Sequence, residues 1–354
     1  MWALRHLLSS VVEGTSPRRS ACLSQGGYCE RAPIVRRPGL SATVVVYNSD
    51  DYLRRCLSSI RDAVLEGLAE LIVVDNASPD QSARIVREEF PEATLVRSEV
   101  NRGFAGGCNL AWPRVRGRYW FLLNPDVVVP RGGLRQLVEW MDAHPEIGAA
   151  SPELVDRHGN LACVGRRFQS VSRTLLEISR VHLLLPARVR SEIFLGSYRR
   201  SQGDHLDVDF VPGAAMIVRR EAVEAAGLLS ESVPMYGEDT EWCWRIRRAG
   251  WRIGVCGALR FQHDEGQSAI RTWGEMERTT RMWHGIYASC ARMRGAAYCR
   301  LLIVANALAF AIEAHHPRRT REERAQSRRH LCVHTTLLRG RSLAPPGTRT
   351  TVMR

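Results

Sequence analysis

Lysine is absent from this chain: all 50 basic residues among the 354 are arginine. The base composition of the encoding genome suffices to explain that, so the absence carries no chemical weight. Also missing are a G-K-[ST] run and a G-x-G-x-x-G run, which excludes a Walker loop and speaks against a dinucleotide fold. The ten cysteines form no C-x-x-C pair and no zinc-ligand spacing. Scattered through apolar stretches, as at Cys56, Cys163, Cys243 and Cys256, they read as buried free thiols of a reducing compartment. No run reaches the ~20 apolar residues of a membrane span. The stretch Met1–Val12 is mildly apolar but lacks the h-region and cleavage site of a signal peptide.

What is present belongs to a folded protein. The chain is 45% hydrophobic, 25% charged and 7% aromatic, which excludes a disordered or fibrous molecule. Its length allows two domains or one large one. The net charge of +13 is unevenly placed. Met1–Leu40 holds 6 arginines against 2 glutamates, and Ala269–Arg354 holds 16 against 5. The body between them is therefore near −2. A nearly neutral body is not built for nucleic acid, and the basic flank is suited to something anionic. The arginine-rich tail lacks the interleaved aromatics of a nucleic-acid binder, so no nucleic-acid partner is expected.

Residues 1–39 carry Gly, Pro, Ser and Arg without periodicity and read as a loose extension. From Ser41 the pattern alternates. β-branched or apolar runs at Ser41–Tyr47, Leu71–Val74, Thr94–Arg97 and Tyr119–Leu123 predict strands. Apolar spacing over Asp51–Gly67, Ser82–Phe90, Asn109–Arg116 and Arg131–His144 predicts helices. That alternation implies an α/β fold with a mostly parallel, doubly wound sheet flanked by helices. Farther on, Val208–Val211 is strand-like, Arg220–Ala226 and Asp239–Ala249 are helical and end at glycines, and Trp251–Cys256 is a strand. Trp273–Met293 and Ala296–Ala314 have helical composition, and the Arg-rich stretch from Pro317 reads as frayed.

Ligands bind at the carboxyl ends of the strands in such a sheet. The polar residues stand there: Tyr47-Asn48 after the first strand, Asp75 after the second, and Asn124-Pro-Asp126 after the fourth. The run Asp75–Asp80 is either a turn with Ser78 or Asp80 as a helix cap, or a base- or ribose-binding acid at the sheet edge. Asn101-Arg-Gly-Phe-Ala-Gly-Gly is a Gly-rich bend into a helix, either a loop needing positive φ or a cradle from which Arg102 reaches a diphosphate. Asp126, between Phe121–Leu123 and Val127–Val129, must be paired or bound. One carboxylate plus substrate phosphates is a common way to hold Mg²⁺ or Mn²⁺. Glu238 and Asp239 precede Trp242 at a helix start, either as acids favoured by the helix dipole or as a general base at a cleft. His263, before a Gly turn, is either structural or a metal ligand.

These residues resemble the inverting family 2 nucleotide-sugar glycosyltransferases of GT-A fold, most of all the bacterial rhamnosyltransferase-type members. The matching pieces are Val-Val-Tyr47-Asn48, Asp75-Asn-Ala-Ser-Pro-Asp80, Asn101-Arg-Gly-Phe-Ala-Gly-Gly, Asn124-Pro-Asp126, Gly213-Ala214-Ala-Met216 before Arg219, Tyr236-Gly-Glu-Asp239, and His263 with Gly266 and Ser268. They follow the family's order over about two thirds of the chain. The resemblance implies a catalytic domain over residues 40–268, and composition adds a helical extension over 269–315 and an Arg-rich tail over 316–354. It implies that Asp75 binds the nucleobase or ribose, and that Tyr47, Asn48, Arg102, Gly103 and Asn124 line the donor. Asp126 and His263 would hold a divalent metal, and Asp239 would be the catalytic base. Gly213, Ala214, Glu238 and Trp242 would face the acceptor. Asn124 stands where many relatives place a first aspartate, and Asp264-Glu265 follow His263 where relatives often show glycine.

The expected reaction is a single displacement at the anomeric carbon of a dTDP- or UDP-sugar, with a cell-envelope glycan or lipid-linked acceptor. A catalytically silent sugar-nucleotide binder of the same fold and a nucleotide-dependent oxidoreductase are the alternatives. Leu301–Ile312 is an apolar dozen, with Arg292, Arg294 and Arg300 before it and Arg318, Arg319 and Arg321 after it. It reads either as an interfacial basic helix at an anionic membrane or as a core helix before a solvated tail. The corresponding location is cytoplasmic, peripheral at the inner face of the plasma membrane.

Overall fold

A computed structural model describes residues 38–163, 165–186, 189–190, 193–194, 204–233, 235–263 and 267–339. The expected loose extension lies outside these up to residue 37, as do residues 264–266 and the chain from residue 340. The elements begin with β1 (Leu40–Val46), α1 (Asp50–Leu65), β2 (Ala69–Asn76), α2 (Ser82–Glu89), β3 (Thr94–Ser98) and α3 (Gly103–Ala111). Then come β4 (Tyr119–Leu123), β5 (Val127–Val128), α4 (Gly133–Ala143), β6 (Ile147–Val155) and β7 (Leu161–Cys163). Next are α5 (Val171–Ser179), β8 (His205–Val208), β9 (Ala215–Arg219), α6 (Arg220–Ala226) and α7 (Glu238–Arg248). Last are β10 (Arg252–His263), α8 (Gln267–Arg294), α9 (Ala296–His315) and α10 (Arg321–Leu338).

The ten strands form one mixed sheet in the order β3-β2-β1-β4-β9-β6-β10-β5, with β7 on β6 and β8 on β10. Parallel pairs are β1 with β2 and β4, β2 with β3, and β6 with β10. β9 runs antiparallel between β4 and β6. One face is covered by α1, α2 and α4 through Leu53, Leu57, Val86, Leu137 and Met141. The other is covered by α3, α6 and α7 through Cys108, Val223, Trp242 and Ile246. Because β1 has β2 on one side and β4 on the other, the strand order reverses beside it. In open α/β sheets ligands bind at such a reversal, outside the carboxyl ends of the strands.

Three expectations need correction. The helix expected at Asn109–Arg116 is α3, Gly103–Ala111, so the glycine-rich run is itself helical. Glycine suits this helix because it lies close on β1: a Cβ on Gly107 would stand 2.6 Å from Val45 Cγ1. Gly107→Ala is therefore expected to cost roughly 1–3 kcal/mol through overpacking, read as a lower denaturant midpoint at unchanged m. The strand-like run Val208–Val211 gives way to β8 and β9, and nothing in its pattern marked β6 as a strand. β6 carries Gly148, Ser151 and Pro152 among its nine residues. Gly148 is dictated by packing, since a Cβ would meet Trp251 at 2.5 Å. The stretch from Pro317, expected to fray, contains α10, which opens on a capping box between Thr320 and Glu323.

Candidate active site

The end of β1 leads into Tyr47 and Asn48, both exposed, with Asn48 held at φ 53°. Ser49 Oγ and Ser78 Oγ donate to the carbonyls of Tyr47 and Val46. Asp80 receives the Asp50 and Ser82 amides and so ties this loop to the one after β2. Asp75 is fully buried at the end of β2. Its carboxylate accepts the Ser78 amide at 3.0 Å and Arg97 Nε at 3.3 Å. Each carboxylate oxygen accepts two bonds, so capacity remains for a nucleoside hydroxyl or base.

Asn76 has a role that the sequence did not reveal. Its amide Nδ2 donates to Asn101 Oδ1 and the Gly103 carbonyl, while its Oδ1 accepts the Arg102 amide at 2.9 Å. One buried side chain thereby fixes the whole turn into α3. The Arg102 guanidinium points to Glu231, 3.0 Å away, and Glu231 also accepts from Asn109. Hydrogen bonds from Asn109 and Arg102 hold the Glu231 carboxyl below its ordinary range. Nothing in the sequence pattern singled out Glu231.

Asp126 and His263 lie 137 positions apart in the chain and meet through strand pairing. β5 runs antiparallel to β10 with Val127 opposite His263, which sets the preceding Asp126 beside the imidazole. His263 Nε2 stands 3.3 Å from Asp126 Oδ1, and both side chains are nearly buried. Among the described residues, Asp126 Oδ1 and His263 Nδ1 have no hydrogen-bond partner. Buried polar atoms left without partners are costly. The unpartnered Asp126 Oδ1, with His263 Nε2 facing it at 3.3 Å, suits a divalent cation. Among the described residues no three His, Cys, Asp or Glu side chains converge as a metal group. A cation here would therefore draw its remaining ligands from substrate phosphate and water, as Mg²⁺ usually does. Cys56, whose thiol is pushed up by burial and by nearby Asp126, stays protonated and donates to the Asn124 carbonyl.

Two hydrogen bonds link this edge to Asp239. The Asn124 amide donates to the Ala214 carbonyl at 2.8 Å, continuing the β4–β9 ladder. The next amide, Gly213, donates to Asp239 Oδ2 at 3.0 Å. Asp239 Oδ1 accepts the Thr240 amide. Burial raises the Asp239 carboxyl despite these bonds. Glu238 is also buried, and desolvation followed by the neighbouring Asp239 charge raises it to about 8. Trp242 is not on the acceptor side. It is fully buried against Trp120, with its indole N–H on the Gly227 carbonyl.

The loop before Asp239 is clamped from behind. Tyr236 is held at φ 77°. A Cβ on Gly237 would stand 2.2 Å from the Gly285 carbonyl oxygen of α8, and one on Gly285 would stand 2.4 Å from the Met235 carbonyl. α8 thus touches the loop backbone to backbone.

Glu238 gives a stability prediction. Its unfolded value is near 4.5 and its folded value about 8. Its stabilising contribution is complete below pH 4.5 and is lost as pH rises to about 8. Wild-type Tm is expected to fall across that window relative to Glu238→Gln. Parallel Tm–pH curves would refute the assignment.

The sequence profile of glycosyl transferase family 2 matches residues 41–227, more than half of the chain. This chain belongs to glycosyl transferase family 2. A second profile, glycosyl transferase family 21, matches residues 196–318 and reaches into the helical extension. This family 2 glycosyltransferase is 26% identical over 235 residues to the low-salt glycan biosynthesis hexosyltransferase Agl10 of Haloferax volcanii, covering 64% of this chain and 67% of that protein. It is 25% identical over 245 residues to an N-acetylglucosaminyl-diphospho-decaprenol L-rhamnosyltransferase of Mycobacterium tuberculosis, covering 66% and 78%. Its fold is GT-A and resembles the mannosyltransferase PcManGT of Pyrobaculum calidifontis, solved with GDP-Man and Mn²⁺. The TM-score is 0.55 at 20% identity over 86% of this chain and 88% of that one. The oxidoreductase alternative falls with the family assignment.

Proposed function

We propose that this glycosyltransferase moves one hexose, rhamnose or a close analogue, from a dTDP- or UDP-sugar to a hydroxyl of a lipid-linked or cell-envelope glycan, with inversion. The observation that carries the reading is the backbone path Asn124–Ala214–Gly213–Asp239. It sets a buried carboxylate on the same sheet edge as Asp126 and His263. The two relatives named above act on glycans or lipid-linked sugars, which supports the acceptor class.

Asp239 takes the proton of the acceptor hydroxyl as that oxygen attacks the anomeric carbon. The Gly213 and Thr240 amides orient its carboxylate. With one base and no enzyme nucleophile, displacement occurs once and the configuration inverts. Asp75 and the Asn76-anchored turn bind the nucleoside side of the donor, and Tyr47 and Asn48 border it. Asp126 and His263 would hold Mg²⁺ or Mn²⁺, which would supply positive charge where the diphosphate leaves. Cys56, Cys108, Cys243, Cys256, Cys290 and Cys299 are buried free thiols, in keeping with a cytoplasmic location at the inner membrane face.

The test is a panel of dTDP-rhamnose, UDP-GlcNAc, UDP-glucose and GDP-mannose against a prenyl-diphosphate-linked sugar acceptor. Product formation from dTDP-rhamnose or a UDP-hexose is expected, with anomeric configuration opposite to the donor by NMR. A product of retained configuration would overturn the single-displacement mechanism.

A further inference from the structure

The helical extension carries an apolar surface that the catalytic edge does not use. Leu301, Val304, Leu308 and Ile312 of α9 are 44–61% exposed. Their spacing of three, four and four places them on one stripe, roughly 16 Å long at 1.5 Å per residue. The opposite face of α9 is buried through Cys299, Leu302, Ile303 and Ala307. Contrary to the expectation from the sequence, α9 is long and apolar enough to cross a membrane by length and composition, with a third of its most apolar stretch buried. Its polar anchors argue against crossing. Asn306 Nδ2 donates to the Tyr287 hydroxyl at 2.7 Å, and Asn306 Oδ1 accepts Thr174 Oγ1 at 3.1 Å. The same tyrosine hydroxyl meets His334 Nε2 at 2.7 Å. Withdrawing α9 into hydrocarbon would strand these groups without partners.

α5 runs beside α9. The Val171 amide donates to the Tyr298 hydroxyl, Thr174 meets Asn306, and Arg180 meets His316. The turn that follows α5 exposes Val181, Leu183 and Leu184, the last at 85%. Exposed aliphatic surface of this kind marks an interaction site in a folded protein. Cations stand at both ends of the stripe. Arg300 borders Leu301, and Arg318 and Arg319 follow the end of α9. Glu313 near that end is bridged by Arg319 at 3.1 Å, while Glu177 on α5 is an opposing acid. The region from Ala269 carries 16 arginines against 5 glutamates.

We propose that this face lays the protein on an anionic lipid bilayer, with the α9 stripe and the Val181–Leu184 turn in the acyl boundary and the arginines on the headgroups. A second copy is the poorer occupant, because an isologous contact would set like charges against each other. A bilayer with anionic headgroups complements both the apolar stripe and the cations. The inference deepens the reading of a lipid-linked acceptor and rests on it for its purpose. Vesicle binding is nevertheless measured without turnover.

The experiment sediments the full chain with vesicles of phosphatidylcholine alone and with added phosphatidylglycerol, at low and high salt. Two double variants are compared, Leu301→Gln with Leu308→Gln, and Leu183→Gln with Leu184→Gln. All positions are exposed, and unchanged melting verifies folding. Binding to the phosphatidylglycerol vesicles is expected, weakened by salt and at least tenfold weaker in each double variant, with acceptor-independent hydrolysis of the donor unchanged. Three outcomes overturn the proposal: equal binding by the variants, no binding by wild type, or binding indifferent to salt. Concentration-dependent self-association abolished by the same substitutions would also overturn it and assign the face to a second copy. Vesicle binding without sugar transfer from any donor would count against the proposed reaction and leave the docking intact.

Discussion

Asp239→Asn is expected to lower kcat for sugar transfer by about 10³-fold, within the 10²–10⁴ range of a lost general base, while the Kd for the donor stays unchanged. Asparagine has nearly the same shape, but its amide cannot accept a proton. It also keeps only one acceptor for the two backbone donors, Gly213 and Thr240, that now hold the carboxylate. The donor left facing the amide costs roughly 1–3 kcal/mol, so a modest fall in Tm accompanies the kinetic loss. Because burial raises the wild-type carboxyl, the acid limb of kcat/KM is expected above the usual aspartate range. Below that limb Asp239 is protonated and transfer stops. Turnover close to wild type in Asp239→Asn, with the same acid limb, would remove Asp239 from the base role.

Asp126→Ala is expected to lower kcat/KM by about 10²–10³-fold, the scale of a lost electrostatic stabiliser of developing charge, and to abolish stimulation by added Mn²⁺. Asp126 Oδ1 is buried and lacks a hydrogen-bond partner, and the His263 ring beside it has a nitrogen in the same state. Deleting the carboxylate removes a buried Oδ1 that has no hydrogen-bond partner among the described residues. Folding is therefore expected to survive better than activity does. His263→Ala should show the same pattern with a smaller effect, since the carboxylate remains. Metal-stimulated transfer retained by Asp126→Ala would show that the cation is held elsewhere or is not needed.

Much of the sheet was legible because its first strands are short, β-branched and buried on both faces, as Leu71–Val74 shows. The placement of Tyr47, Asn48, Asp75 and Asp126 at the ends of β1, β2 and β4 was legible for the same reason, since each polar residue closes such a run. What was hidden depends on tertiary pairing. Glycines inside α3 look like a loop until Gly107 is seen against Val45 and Gly106 against Arg102. β6 hides because small residues and a proline suit its crowded place between β9 and β10. Trp242 looked like an acceptor platform in sequence, but its period on α7 turns it into the core. Asn76 and Glu231 act through partners 25 to 129 positions away, which no local pattern reports.

The contact between Gly237 and Gly285 bears on how the molecule folds. Two carbonyls lie where side chains would otherwise stand, so α8 and the loop before Asp239 can reach this closeness only together. Arg292 reinforces the junction, donating to Ser232 at 2.8 Å and lying 3.8 Å from the buried Glu241. The boundary drawn near residue 268 is therefore not expected to separate two independently folding pieces. The sheet and the trailing helices should melt in one cooperative transition, and a chain ended at residue 268 should lose the ordered loop that presents Asp239.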